Sequence, residues 1–251
     1  MKKFFLFIIT AGMSAVMISC AKQEASPLQA GTVVRDTLIG VPCCIYLPDN
    51  YEARVQKTHE VFPVLYLQHG MYGIEDDWSM KGDLVHFMDS LLALGKVKEM
   101  VVVMPDNCPG RPTPEEERAN ATNGEWENGF AAFMAEAESR YSISREPSQR
   151  AIAGLSMGGY HTMMVSHVLQ GQFAYVAMFS PATFEHHAPV NADVFWLGIG
   201  RDDFLYDEVQ KYRLWLEENH IEYTYYESKG GHTWDNWQDY LCRFLPKLHF
   251  D

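Results

Sequence analysis

The chemistry in this chain starts at Arg150-Ala-Ile-Ala-Gly-Leu-Ser-Met-Gly-Gly-Tyr160. The run reads as a short buried strand (Ala151 to Ala153), a turn at Gly154-Leu-Ser-Met-Gly158 and a helix from about Met157 to Leu169. A serine at the tip of so sharp a turn sits in strained backbone. Its neighbours two residues away must lack Cβ atoms if strand and helix are to cross closely. The free N–H groups and positive dipole end of the following helix lie where an oxyanion would form. Ser156 is therefore the candidate nucleophile of an acyl-transfer reaction.

A serine hydroxyl needs a base, and the base needs an orienting acid. His232 lies in Lys229-Gly-Gly-His-Thr-Trp234, a flexible loop just past the last strand, from which an imidazole can reach the serine. The other histidines fit less well: His69 begins the candidate oxyanion loop, and His161 and His167 ride on the helix after the serine. His186 and His187 precede the acid-bearing strand, and His249 is near the end of the chain. The acid should follow the strand Asp193 to Ile199, where Gly200-Arg-Asp-Asp203 offers two carboxylates. Neighbouring side chains diverge, so one of them reaches His232; Asp203 is the choice and Asp202 the alternative. For the oxyanion hole, the backbone N–H of Met157 is one donor. That of Met71, in the loop after an apolar strand, is the other.

The elements that must position these residues alternate. Thr32 to Leu38 and Val41 to Leu47 read as strands, as do Val61 to Gln68, Met100 to Met104, Ala174 to Phe179, Asp193 to Ile199 and Glu222 to Glu227. Helices are predicted at Asp83 to Leu94, Glu125 to Tyr141, Tyr206 to Asn219 and Thr233 to Leu245. Phe130, Phe133, Met134 and Ala137 recur at helical spacing, as a core stripe does. Residues 107–123, with their prolines and three consecutive glutamates, read as a long surface loop. Alternating strands and helices imply an α/β fold, a mainly parallel sheet covered on both faces with antiparallel strands at its N-terminal side. Ligands of such sheets bind at the carboxyl ends of the strands, where Ser156, Asp203 and His232 all fall.

Composition bounds the rest. A chain of 251 residues, 47% hydrophobic, supports one sizeable α/β domain. A net charge of −13 argues against nucleic acid or an anionic lipid surface as partner. Lys2 and Lys3 followed by an apolar run from Phe4 to Ile18 have the pattern of a signal peptide over residues 1–20. Met17-Ile-Ser-Cys20 resembles a bacterial lipoprotein signal with Cys20 as the lipidated residue; a plain secretory signal is the alternative. Either reading exports the protein, to the periplasm or the outer membrane, with a short linker over 21–31 and one domain over 32–251. Cys43 and Cys44 lie in a strand and face opposite sides of it. Pairing of either with Cys108 or Cys242 and buried thiols are both open. No spacing suggests a zinc site.

Five segments in order, Tyr46-Leu-Pro-Asp-Asn-Tyr51, Phe62-Pro-Val-Leu-Tyr-Leu-Gln-His-Gly70, Val101-Val-Val-Met-Pro105, Gly154-Leu-Ser-Met-Gly-Gly159 and Gly230-Gly-His-Thr-Trp-Asp-Asn-Trp237, resemble one family. It is the α/β-hydrolase esterase family of feruloyl esterases, acetyl-xylan esterases, S-formylglutathione hydrolases and enterochelin esterases. The resemblance runs from about Thr32 to the end. It implies the α/β-hydrolase fold, a Ser-Asp-His triad in that chain order and an acyl-enzyme, with no metal or organic cofactor. The family's Gly-x-x-Asp motif matches Gly200 to Asp203, in favour of Asp203. Phe179-Ser-Pro181 departs from the Ser-Gly-Ala often found there and bears on the pocket wall. The implied substrates are feruloyl or acetyl esters on plant polysaccharides or oligosaccharides, with Trp234 and Trp78 as candidate stacking surfaces. A siderophore-ester hydrolase, an acyltransferase of the same fold and a non-catalytic carbohydrate-binding lipoprotein are the other readings.

Overall fold

The computed structural model describes residues 31–108 and 113–250. The expected signal peptide, Cys20 and the linker up to residue 30 lie outside the described residues. Among those described, no helix is long and apolar enough to cross a membrane.

In chain order the elements are β1 (Thr32–Leu38), β2 (Val41–Leu47), α1 (Tyr51–Thr58), β3 (Val64–Gln68), α2 (Asp77–Met80) and α3 (Leu84–Ala93). They continue with β4 (Val101–Pro105), α4 (Pro114–Asn120), α5 (Glu125–Arg140), β5 (Arg150–Leu155), α6 (Met157–Val168) and β6 (Tyr175–Phe179). The last are β7 (Val194–Gly200), α7 (Tyr206–Glu218), β8 (Thr224–Ser228) and α8 (Trp234–Phe244). The strands form one eight-stranded sheet in the order β1-β2-β4-β3-β5-β6-β7-β8. β2 pairs antiparallel with both β1 and β4, and every pairing from β4 to β8 is parallel.

The near-continuous apolar strands follow from burial on both faces, where alternation of side chains feeds two cores. Val64 and Tyr66 of β3 pack with α5, α6 and α7, through residues such as Phe130, Met163 and Tyr212. Leu65 and Leu67 pack on the other face with α3 and α8, through Met88, Tyr240 and Phe244. The predicted stripe of α5 is buried as a core face: Phe130, Phe133, Met134 and Ala137 are each at most 5% exposed. Cys43 and Cys44 divide between the two cores as thiols. Burial, then the Asp36 charge, pushes the Cys43 thiol up to about 12, so it is not a thiolate at neutral pH.

Four elements depart from the expectations, the short helix α2 among them. The 107–123 segment is not loop throughout, because α4 interrupts it. Thr113 caps this helix by accepting the Glu116 N–H (3.2 Å), proline occupies the first turn, and three glutamates there suit the dipole. Helix α1 follows a turn at Asn50 and buries only Tyr51 of its residues, so its sequence carries little apolar periodicity. The strand expected from Val61 begins at Val64, since Val61 is 58% exposed at the margin of the sheet.

Candidate active site

The turn after β5 places Ser156 at φ 55°, ψ −116°, backbone that an L-residue adopts only under constraint. Backbone bonds supply that constraint. The Ser156 N–H donates to the Phe179 carbonyl (2.9 Å), and the Ser156 carbonyl accepts from Gly159 N–H (3.0 Å) and Ala182 N–H (3.1 Å). The flanking glycines are sterically required. A Cβ on Gly154 would stand 2.2 Å from the Gly158 carbonyl oxygen, and one on Gly158 2.3 Å from that of His69. Both obstacles are backbone and cannot swing aside. Gly158→Ala is therefore expected to destabilise the protein by about 1–3 kcal/mol or more, seen as a lowered melting temperature; an unchanged melt would contradict this packing.

His232 is brought to the serine by the turn after β8. Its Nε2 is 2.8 Å from Ser156 Oγ, across 76 residues of sequence. Its Nδ1 is 3.0 Å and 2.9 Å from the two carboxylate oxygens of Asp203. A carboxylate only accepts, so the imidazole carries its proton on Nδ1 and presents a lone pair at Nε2 to the hydroxyl. The ring is held between Phe204 (centroids 4.5 Å apart) and Trp237, which meets it edge-on at 4.9 Å. Asn236 secures the turn itself, donating from Nδ2 to the Gly231 carbonyl (2.6 Å) and accepting from the Ser228 hydroxyl (3.2 Å).

Of the two acid candidates, Asp203 is 4% exposed and faces His232, while Asp202 is exposed and engages the Gly230 carbonyl through its backbone N–H. Asp203 Oδ1 also accepts the Leu205 N–H at 2.9 Å. Burial by itself pushes the Asp203 carboxyl up, but the bonds from His232 and Leu205 outweigh it and hold the group below its ordinary range. With the native pKa below the unfolded one, Asp203 contributes stability above about pH 4 and loses it as pH falls through the native value. Urea midpoints between pH 2 and 5 should thus depend less steeply on pH in Asp203→Asn; identical slopes would remove the claimed depression.

Met157 occupies the first turn of α6, where backbone N–H groups have no intrahelical acceptor. Met71 follows Gly70, which lies against the serine: a Cβ there would be 3.2 Å from Ser156 Cβ. His69 is fully inside this region, accepting the Asn107 N–H at Nε2 (3.2 Å), while Asn107 Nδ2 donates to the His69 carbonyl (2.8 Å). Trp234 is half-buried at the start of α8. Trp78 is corrected from stacking surface to core. It is 1% exposed, donates from Nε1 to the Gln68 carbonyl (3.0 Å) and packs on Phe179 and Trp234, so no substrate ring reaches it. Among the described residues, no group of three or more His, Cys, Asp or Glu is placed to hold a metal ion.

Sequence reasoning passed over Phe204, Asn236 and Asn107. Asn236 lies within the Gly230 to Trp237 segment, four residues after the histidine, and its place in that segment was the available signal. Phe204 and Asn107 carry none beyond adjacency to Asp203 and to the end of β4.

The family model described as Putative esterase matches residues 41–213, well over half of the 251-residue chain. The chain belongs to this esterase family. One relative is the endo-1,4-beta-xylanase/feruloyl esterase of Xylanibacter ruminicola, 30% identical over 153 residues. That match spans 56% of this chain but only 19% of the relative's length. The acetyl esterase of Caldicellulosiruptor saccharolyticus is 23% identical over 240 residues, covering 77% of this chain and 86% of that protein. A solved ferulic acid esterase superposes with a TM-score of 0.74 at 23% identity, covering 88% of this chain and 99% of the other. Together with the strand order, that likeness identifies the esterase as an α/β-hydrolase fold.

Proposed function

We propose that this protein is an exported serine carboxylesterase that works through an acyl-enzyme on Ser156. The observation that carries the reading is the 2.8 Å hydrogen bond from Ser156 Oγ to His232 Nε2, continued through Nδ1 to the buried Asp203. His232 takes the hydroxyl proton as Oγ attacks the ester carbonyl. The N–H groups of Met71 and Met157 hold the oxyanion. The tetrahedral intermediate collapses, and the alcohol departs with the proton from His232, leaving the acyl group on Ser156. Water then attacks, giving its proton to His232; the second collapse releases the acid and returns the proton to Oγ.

Feruloyl or acetyl esters on plant polysaccharides or oligosaccharides are the proposed substrates. Support comes from the activities for which the two relatives are named and from the exposed ring of Phe204 packed against His232. Export is proposed from Lys2, Lys3 and the apolar run to Ile18, with Cys20 as the lipid-bearing residue.

The test is to treat the protein with an alkyl fluorophosphonate and map the adduct by peptide mass spectrometry. The rates on methyl ferulate, p-nitrophenyl acetate and a catecholate siderophore ester are compared alongside. Labelling of Ser156 with loss of activity supports the mechanism, and the ratio of rates assigns the acyl group. A dominant siderophore rate would move the substrate, and an unlabelled, inactive protein would favour the carbohydrate-binding reading.

A further inference from the structure

The loop leaving β3 is braced from both sides. The Gly70 carbonyl is held by His69 Nδ1 (2.7 Å) and by the Gly73 N–H (3.0 Å). In a planar trans peptide the C=O and N–H point in opposite directions. Fixing the Gly70 carbonyl therefore fixes the line of the Met71 N–H in the same peptide. The next N–H, that of Tyr72, is also claimed. Tyr72 has φ 62°, in the left-handed region, and its N–H donates to Glu117 Oε1 at 2.6 Å. Glu117 comes from a separate element, one turn into the capped helix α4, and is 3% exposed. Burying a carboxylate is costly unless it is well bonded, and a charged acceptor makes a stronger hydrogen bond than a neutral one.

We propose that Glu117 is a positioning residue of the oxyanion hole. By holding the Tyr72 N–H it keeps the left-handed turn closed, and so keeps the preceding Met71 N–H aimed at the developing negative charge. Helix α4 thereby becomes part of the site without touching substrate. The inference rests on the serine-esterase reading.

Glu117→Met keeps length and helix-forming character while removing the strong acceptor, and Glu117→Gln keeps an acceptor oxygen. With p-nitrophenyl acetate, the Met variant should lose about ten- to thirty-fold in kcat, a fraction of the roughly 10²–10³ that a lost oxyanion donor costs. KM should stay within about two-fold, and the Gln variant should recover most of the rate. A trifluoromethyl ketone, which becomes a tetrahedral oxyanion on the serine, should bind the Met variant more weakly by the same factor. Binding of the product carboxylate should not change. A Met variant with wild-type kcat and ketone affinity overturns the proposal. So does one whose ketone and product affinities fall together, the mark of general distortion.

If the Met variant does not fold, amide exchange in the wild type decides. The Tyr72 amide should exchange at least ten-fold more slowly than in an unstructured chain, and exchange at the unstructured rate overturns the proposal. A wild-type rate that Ser156→Ala leaves untouched removes the esterase reading and this inference with it. A rate that needs Ser156 but ignores Glu117 removes this inference alone.

Discussion

Ser156→Ala is expected to lower kcat on p-nitrophenyl acetate by about 10⁶-fold, the scale on which removal of a triad nucleophile acts, while leaving the fold as it is. The turn explains why the two effects separate. The bonds that hold residue 156 in its left-handed conformation run through its backbone, to Phe179, Gly159, Tyr160 and Ala182, and alanine keeps them all. Serine and alanine both carry a Cβ, so the substitution adds no new backbone strain. Among the described residues, the hydrogen bond removed is the one from Oγ to His232 Nε2. Rate assays beside a thermal melt check both halves. A rate that survives in the variant would eliminate Ser156 as nucleophile.

Asp203→Asn should cost about 10⁴ in kcat, as loss of the correct histidine tautomer does elsewhere, and Asp202→Asn should change little. The hydrogen bonds made by the Asp203 carboxylate are the reason. In the native protein both Asp203 oxygens face His232 Nδ1, and Oδ1 also accepts from Leu205 N–H. Asparagine has one oxygen and one amino group to place there. The Leu205 N–H requires the oxygen, which turns the amino group toward Nδ1. A donor facing Nδ1 moves the imidazole proton to Nε2, and that nitrogen can no longer accept a proton from Ser156. Asp202 is exposed and takes no part in this geometry. Comparing kcat for the two variants decides between the neighbouring acids, and a large loss in Asp202→Asn alone would reverse the assignment.

What could be read from the residues was whatever has a periodic or steric signature. Continuous apolar runs such as Met100 to Met104 marked strands buried on two faces, and the glycines around Ser156 marked the tight crossing of β5 and α6. Ser156, Asp203 and His232 were legible because each sits beside a strand end, where turn residues interrupt the pattern. Helix α4 was obscured by its composition. The prolines and glutamates of the 107–123 segment suggested a loop, although Thr113 with Glu116 three residues on is a capping pair. Trp78 was misjudged because an indole in a polar stretch looks exposed; only the fold places it beneath Trp234. Several contacts that brace the loop after β3 run through the backbone N–H groups of Tyr72, Gly73 and Asn107, and a backbone donor leaves no trace in residue identity.

The sheet order has a further meaning for how function fails. Ser156 stands at the end of β5, an inner strand with neighbours on both sides and every residue buried. The base rides on the turn after β8, the outermost strand, which is tied to β7 alone and is only half-buried. Opening free energies differ across a structure, and a one-sided strand lies toward the low end. The proposed nucleophile and base thus belong to regions of unequal local stability. Their separation, rather than the melting of the core, is expected to set the first limit on the proposed activity as conditions become harsh, seen as a loss of rate below the melting temperature.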